Sequence, residues 1–283
     1  MQTYVTGTDN YKTNDYPTIS EDILQRFTPI GLEQMQDAAL LRRIDTKYVL
    51  SETQLYHALA RLTVDYRVLE IEGQRQQHYQ TFYFDTPDFA LYRQHHDGWR
   101  SRYKVRSRVY ADCGLAFLEV KHKTNQNVTV KHRVQTAEIV TEIDDWAEDF
   151  LYTCFPYPST ALAVRLQNAF RRITLVSTHG IERVTLDVGL RFAGNGAHLP
   201  MPGIAIAEVK QATNSLRSAF VGQMRALGVR PLRFSKYCTG VSQLYDHIKA
   251  NRFKLQHLYL DKLLNHRDTE GTEKSSVFSV SPW

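Results

Sequence analysis

Residues 100–133 read RSRYKVRSRVYADCGLAFLEVKHKTNQNVTVKHR, and this stretch decides how the rest of the chain is interpreted. If residues 100–109 form a β-strand, side chains two positions apart lie on the same face. That face then carries five cations: Arg100, Arg102, Lys104, Arg106 and Arg108. Neighbours in this row lie about 6.7 Å apart and repel by roughly 2.5 kcal/mol at an effective dielectric of 20. Such a row is stable only where water or an anion surrounds it.

The segments at 115–123, 128–134, 182–192 and 204–210 show the same alternation. Each is predicted as a strand with one aliphatic face and one charged face. The charged faces carry, in chain order, Glu119, Lys121, Lys131, Arg133, Arg183, Asp187, Glu208 and Lys210. Short turns join the segments at 100–109, 115–123 and 128–134, which predicts an antiparallel meander.

Helical segments occur between the strands, so the predicted class is α+β. One begins at Ser51, where SETQ is typical of a capping box, and others are predicted at 141–151, 159–167, 214–227 and 235–254. Two arrangements satisfy the pattern. The aliphatic faces fill an ordinary barrel with a charged exterior, or the charged faces point inward and the aliphatic faces pack against the helices. Periodicity alone leaves both open.

Composition sets the remaining bounds. The chain has 283 residues, 42% of them hydrophobic, a formal charge of +5 and a pI near 9.0, which favours polyanionic partners. Three widely spaced cysteines without a CxxC pair indicate a reducing compartment. No signal-peptide pattern or long apolar run occurs, so the prediction is a cytoplasmic protein. Its expected parts are a flexible arm at 1–18, one domain at 19–266 and a disordered tail at 267–283.

An inward-facing basic surface requires a multiply charged ligand, because buried cations without counter-charge are costly. Arginine forms planar bidentate hydrogen bonds to phosphate oxygens, and lysine adds a compact charge, so this mixture suits a chain of phosphates. Glu119, Asp187 and Glu208 are then candidate oxygen ligands for Mg²⁺ or Mn²⁺.

Seven short motifs carry a resemblance to a known family. They are RIDTKY at 43–48, YFDT at 83–86, KVRSR at 104–108, LEVK at 118–121, RVTLD at 183–187, AEVK at 207–210 and FSKY at 234–237. In this order they resemble the VTC polyphosphate polymerase domain, a family of the triphosphate tunnel metalloenzymes. The resemblance extends over roughly residues 20–248.

The resemblance implies a closed eight-stranded antiparallel β-barrel, the triphosphate tunnel, flanked by helices. Its interior would hold ATP and polyphosphate together with a divalent metal, Mn²⁺ or Mg²⁺. The implied catalytic, phosphate-binding set is Lys47, Arg106, Arg108, Lys121, Lys131, Arg172, Arg183 and Lys236. Arg106, Arg108, Lys121 and Lys236 would contact the nucleotide phosphates, and the implied metal ligands are Glu208 and Glu119.

Some positions depart from the family patterns. Arg43, Asp45 and Lys47 stand where related CYTH enzymes have an alternating ExExK strand, which favours the polymerase-like branch over a two-metal triphosphatase. Phe170 stands where a tyrosine is common. A shift of one residue in register would exchange Arg172 for Arg171.

The resemblance implies an ATP-dependent phosphotransferase that extends a phosphate or polyphosphate chain. Two alternatives stay open: hydrolysis of triphosphate or nucleoside triphosphate, and non-catalytic binding of polyphosphate or inositol polyphosphate. The sequence lacks an RRM, KH or OB motif, which argues against nucleic acid. The eukaryotic polymerases carry membrane helices that this chain does not show, so coupling to transport would need a separate membrane-protein partner.

Overall fold

The computed structural model describes residues 19–36, 44–126, 128–212 and 217–273. The predicted arm at 1–18, Arg43 and the predicted helix cap Asn214 lie outside these ranges. The strands are β1 Thr28–Ile30, β2 Ile44–Ser51, β3 Tyr66–Leu69, β4 Gln77–Asp85, β5 Arg102–Tyr110, β6 Leu115–Lys123, β7 Thr129–Thr136, β8 Ala163–Ser177, β9 Glu182–Gly194, β10 Ala197–Met201 and β11 Ile204–Gln211. The helices are α1 Glu21–Gln25, α2 Leu32–Gln36, α3 Glu52–Leu59, α4 Ala90–His96, α5 Asp145–Cys154, α6 Ala219–Ala226, α7 Lys236–Leu244 and α8 Lys254–Glu273, with a 3-10 turn at Asn251–Phe253.

Eight strands form one antiparallel path in the order β2-β11-β9-β8-β4-β5-β6-β7. The short strands β1, β3 and β10 extend the sheet at its margins, and β1 pairs with β3 in parallel. Within the described residues, β2 and β7 end the path and do not pair with each other. The α+β class and the antiparallel sheet are therefore confirmed, whereas the closed barrel is not.

The aliphatic faces of the strands pack against helices. Val184, Leu186 and Val209 lie in one fully buried cluster with Leu55 of α3 and Phe220 of α6. Val105, Leu118 and Val120 of β5 and β6 likewise pack with Ala147 and Leu151 of α5. These contacts leave the charged faces to line the concave side of the sheet, which decides between the two arrangements that the sequence allows.

Helix α7 packs on part of that concave side. Gly189 has a left-handed φ of +61° and lies at the bulge between β8 and β9. The extra residue shifts the alternation of β9, so that Phe192, which pairs with Asn168, joins an apolar cluster with Leu166, Phe170 and Tyr237. Apolar side chains thus fill the end of the concave side that lies beyond the bulge.

Two motifs have a structural role. Ser51 begins α3 with a full capping box, as predicted, since its Oγ accepts from Gln54 N at 3.0 Å and the Gln54 side chain accepts from Ser51 N. Asp85 of YFDT is buried and accepts hydrogen bonds from the backbone N–H groups of Thr86, Leu91 and Tyr92 and from the Tyr237 hydroxyl. This carboxylate therefore joins β4, α4 and α7.

Four predicted elements differ from the structure. The helix predicted at 159–167 is wrong, because residues from Ala163 onward belong to the fifteen-residue strand β8. The helix predicted at 235–254 ends at Leu244. Helix α8 extends to Glu273, so it continues into the segment predicted as a disordered tail. Ser218, instead of Asn214, caps α6 by accepting from Val221 N at 3.1 Å.

Candidate anion-binding site

The concave side of the sheet encloses a cavity of about 1070 Å³. Eight basic and three acidic side chains line it, so the lining is strongly cationic. The basic ones are Arg106, Arg108, Lys121, Lys131, Arg133, Arg172, Arg183 and Lys210. Because like charges this close are stabilised by counter-ions, the cavity is suited to a polyanion.

Strand register aligns the charges in rows across β5, β6 and β7. Lys104, Lys121 and Lys131 occupy matching positions, and so do Arg106, Glu119 and Arg133. Glu119 pairs with the Arg106 guanidinium. Arg108 lies two residues further along, where its Nε donates to Thr81 Oγ1 at 3.2 Å.

Asp187 holds two of the predicted cations. Arg172 donates from Nε and Nη2 to its two carboxylate oxygens, at 2.6 and 2.8 Å, and the Lys236 ammonium donates to the same carboxylate. Burial alone would raise the pKa of Asp187, but Arg172 and Lys236 outweigh it and hold that pKa below its ordinary value. The carboxylate is therefore ionised and positions both cations.

Glu208 is bound between two lysines. The Lys47 ammonium donates to Oε1, and Lys210 Nζ lies 3.4 Å from Oε2. Burial would raise the pKa of Glu208, but Lys210 and Lys47 lower it well below the usual range. Both oxygens of the predicted metal ligand thus face ammonium groups.

Aromatic rings separate some of the cations. Tyr79 stacks on Phe170 with ring centroids 5.1 Å apart, and it carries the Arg108 and Arg172 guanidinium groups at 5.4 and 4.9 Å from its own centroid. Lys236 Nζ lies 4.2 Å from the Phe170 centroid. Cation–π contacts of this kind hold cationic side chains in place without neutralising them.

The cavity perturbs several proton equilibria. Burial, together with the Lys104 and Lys131 ammonium groups, lowers the pKa of Lys121 to about 7, although its side chain is still reached by solvent. Burial lowers the pKa of Lys210 to about 8, and Glu208 opposes this shift. Burial would raise the pKa of the Tyr83 phenol, but Arg106 and Arg108 lower it. The shifts of Lys121 and Tyr83 are consistent with a positive potential in the cavity.

A divalent metal in this cavity would need oxygen atoms from a bound phosphate compound to complete its coordination. The described residues contain no group of three or more His, Cys, Asp or Glu side chains placed to hold an ion. One carboxylate plus substrate phosphates is nevertheless a common environment for Mg²⁺. Glu208 fits that role, with the phosphates supplying the other oxygens. Thr185 Oγ1, buried at the cavity and without a hydrogen-bond partner in the described structure, is a further oxygen there.

The structure brings the predicted site residues together in two groups, those that line the cavity and those that are linked to the lining residues through ion pairs. Arg106, Arg108, Glu119, Lys121, Lys131, Arg172 and Arg183 line the cavity directly. Lys47 and Glu208 join it through Lys210, and Lys236 joins it through Asp187 and Arg172. Arg172 faces the cavity, whereas Arg171 lies against Gly189 and experiences the charge of Glu52.

Three residues of the site are absent from the set that the resemblance implied. Lys210, Arg133 and Asp187 lie at the cavity or bind its cations. Their signal was the strand alternation, which placed each on a charged face. In contrast, Arg102 and Lys104 of the opening row do not line the cavity; Lys104 Nζ donates to Ser235 Oγ, the cap of α7, at 2.6 Å.

The fold and the lining together define a protein with a strongly cationic cavity on the concave side of an antiparallel sheet. Residues 42–150 match the family model of the VTC domain, so the resemblance to that family is confirmed over this segment. The matched residues include Arg106, Arg108, Lys121 and Lys131.

The chain is also similar to solved structures. A putative adenylate cyclase from Bacillus halodurans is 12% identical with a TM-score of 0.46, over 72% of this chain and 97% of that one. A putative adenylyl cyclase from Hippeastrum, described as having a dominant triphosphatase activity, is 13% identical with a TM-score of 0.45, over 71% and 96%. No curated protein matches the sequence.

None of the helices in the described ranges combines the length and apolarity needed to cross a bilayer.

Proposed function

We propose that this protein is a metal-dependent phosphotransferase that moves the γ-phosphoryl group of ATP onto a phosphate or polyphosphate chain. The observation that carries the proposal is the cavity lined by eight basic side chains, five of which lie within the segment that matches the VTC domain. An oxygen of the acceptor phosphate would attack the γ-phosphorus, the bond to the β–γ bridging oxygen would break, and ADP would leave.

The residues of the cavity would act by positioning and charge neutralisation. Arg106, Arg108 and Arg172 present planar donors for phosphate oxygens, and Lys121, Lys131 and Lys236 add compact charges. Such groups stabilise the charge of a transferring phosphoryl group without forming a covalent intermediate. Asp187 would hold Arg172 and Lys236 in place during the reaction.

Glu208 would hold the divalent metal, Mn²⁺ or Mg²⁺, together with phosphate oxygens. When bound, that ion would neutralise charge on the nucleotide phosphates. Because Lys47 and Lys210 occupy both carboxylate oxygens, the phosphate chain would have to draw these lysines toward itself. The metal and the phosphate chain are therefore expected to bind together.

Incubation of the protein with ATP and Mn²⁺ tests the proposal. Long phosphate chains, resolved on a gel, are expected if the enzyme is a polymerase. Release of orthophosphate without chains would instead support the second candidate, a triphosphate or nucleoside triphosphate hydrolase, for which the same cavity supplies the charges.

A Glu208→Gln variant separates an enzyme from a non-catalytic polyphosphate or inositol polyphosphate binder. The substitution keeps the size of the side chain and removes the charge that would hold the metal. We expect turnover of ATP to fall by at least about a hundredfold, since removing one group that stabilises transition-state charge commonly costs that much. Tripolyphosphate binding without metal should persist. Wild-type protein that binds but never turns over ATP would contradict the enzymatic proposal.

A further inference from the structure

One end of the cavity differs in character from the cationic interior. The lining there includes a set of apolar side chains from α2, from the end of β3 with the residues just after it, and from the β5–β6 hairpin. We call this set the apolar rim: Leu32, Met35, Leu69, Ile71, Tyr110 and Leu115. Leu32 is 47% exposed and Leu115 is 42% exposed, so two large aliphatic side chains face open space at the cavity.

The apolar rim begins directly beside the phosphate-binding cations. Tyr110 is two residues after Arg108 on the same face of β5, a separation of about 6.7 Å. The Tyr110 ring also packs edge to face on Tyr79, with ring centroids 4.8 Å apart. Tyr79 in turn forms cation–π contacts with Arg108 and Arg172. A ligand that contacts both surfaces would therefore combine a phosphate chain with an apolar or aromatic group.

Two of the three acidic side chains of the cavity lie near this same end, whereas Glu119 pairs with Arg106 in the interior. Asp112 follows Tyr110 by two residues and accepts from His78 N at 2.5 Å, and Glu72 follows Ile71. Carboxylates repel a phosphate chain, but they accept hydrogen bonds from amino and hydroxyl groups. The charge of the cavity is thus graded, with cations in the interior and carboxylates beside the apolar rim.

We infer that the apolar rim binds the nucleobase of a nucleoside triphosphate, whose phosphates extend toward Arg108 and Arg172. An inorganic triphosphate or a polyphosphate end would use the cations alone and gain nothing from Leu32 or Leu115. This inference rests on the proposed function, and it distinguishes the nucleotide donor from the phosphate chain that accepts from it.

Binding measurements on a Leu32→Ser, Leu115→Ser double variant test the inference. Both side chains are already exposed, so the fold should tolerate the change. Isothermal titration with ATP and, separately, with inorganic tripolyphosphate, each with Mn²⁺, is the measurement. A Leu255→Ser variant is the matched control, since Leu255 is 81% exposed on α8 and lies away from the cavity.

We expect the double variant to bind ATP about tenfold more weakly than the wild type, because the apolar area that two leucine side chains bury against the base would be lost. Its affinity for tripolyphosphate should stay unchanged, and the control should match the wild type for both ligands. Equal losses for ATP and tripolyphosphate, or no loss for either, would overturn the inference while leaving the phosphate-binding cavity intact. Wild-type protein that binds neither ligand would overturn the proposed function and the nucleobase site with it.

Discussion

Asp187 is the residue on which the arrangement of two cations depends. It is buried, with a side-chain exposure of 5%, and it pairs with both Arg172 and Lys236. Removing one charge from a buried ion pair is costly, because the partner charges remain without compensation. Its contribution to stability can therefore be measured apart from any catalytic activity.

An Asp187→Asn variant should lose about 3 kcal/mol of unfolding free energy at pH 7. Because the folded-state pKa of Asp187 lies below its ordinary value, this contribution is complete above the unfolded-state pKa of roughly 3.9 and is lost as pH falls through the folded-state pKa. The difference from wild type should thus be constant between about pH 5 and 7 and shrink below about pH 4. Urea unfolding curves across this range provide the measurement.

Asp88→Asn is the matched control, because Asp88 also pairs with an arginine, Arg93, but both side chains are more than half exposed. Its effect should be within about 1 kcal/mol. A loss in Asp187→Asn that is no larger than in the control would contradict the structural role given to Asp187.

Single residues of the site were predictable where strand alternation governs them. Arg106, Glu119 and Lys131 lie where period-2 spacing placed them. The pairing of Asp187 with Lys236 was not predictable, because it joins residues far apart in the sequence through the position of α7. Nor did the spacing indicate that both oxygens of Glu208 would face lysines.

At the scale of elements, helix α7 packs closely against part of the concave side of the sheet. A Cβ atom on Gly240 would lie 2.7 to 2.9 Å from side-chain atoms of Leu166 and Phe192, so the glycine permits the helix to sit against the sheet. The same helix starts with Lys236, whose ammonium binds Asp187. Displacement of α7 would therefore move a cation of the site.

A Gly240→Ala variant should be destabilised by about 1–3 kcal/mol through overpacking, with a lower melting temperature and weaker tripolyphosphate binding. Gly222→Ala in α6 is the control. Its Cβ would meet nothing within 4 Å, so it should stabilise the protein by up to about 1 kcal/mol. Thermal unfolding of both variants checks the pair, and a stabilised Gly240→Ala variant would refute close packing of α7.

The elements themselves were predicted unevenly. Strands β5, β6 and β9 follow from their alternating patterns, and the capping box at Ser51 correctly gave the start of α3. Strand β8 was missed at its beginning, because Ser159 and the following residues also suit a capped helix. Pairing along the whole of β4 holds this segment extended, and such tertiary pairing overrides local propensity.

On the scale of the whole molecule, the sheet curves around the cavity, and its two end strands stay unpaired with one another in the described structure. Local patterns predict individual strands but cannot predict whether the first and last strands of a sheet join. The closed tunnel implied by the family resemblance is accordingly not confirmed.

Strand β7 should respond to ligand more than any other strand. It bonds only to β6 among the described strands, and most of its residues are exposed, yet Lys131 and Arg133 line the cavity. Hydrogen exchange measured by mass spectrometry should show slower exchange of residues 129–136 when tripolyphosphate is added. Peptides from α5, on the opposite face of the sheet, should not change. Protection that leaves β7 unaffected would contradict its place in the site.

The central claim is that the cationic concave side of the sheet binds a chain of phosphates, and calorimetric titration of the wild-type protein with tripolyphosphate tests it most directly. Attraction between several cations and a multiply charged chain predicts one tripolyphosphate per protein, an affinity well above that for orthophosphate, and weaker binding as salt increases. Binding that is absent at low salt, or no stronger for tripolyphosphate than for orthophosphate, would contradict the claim.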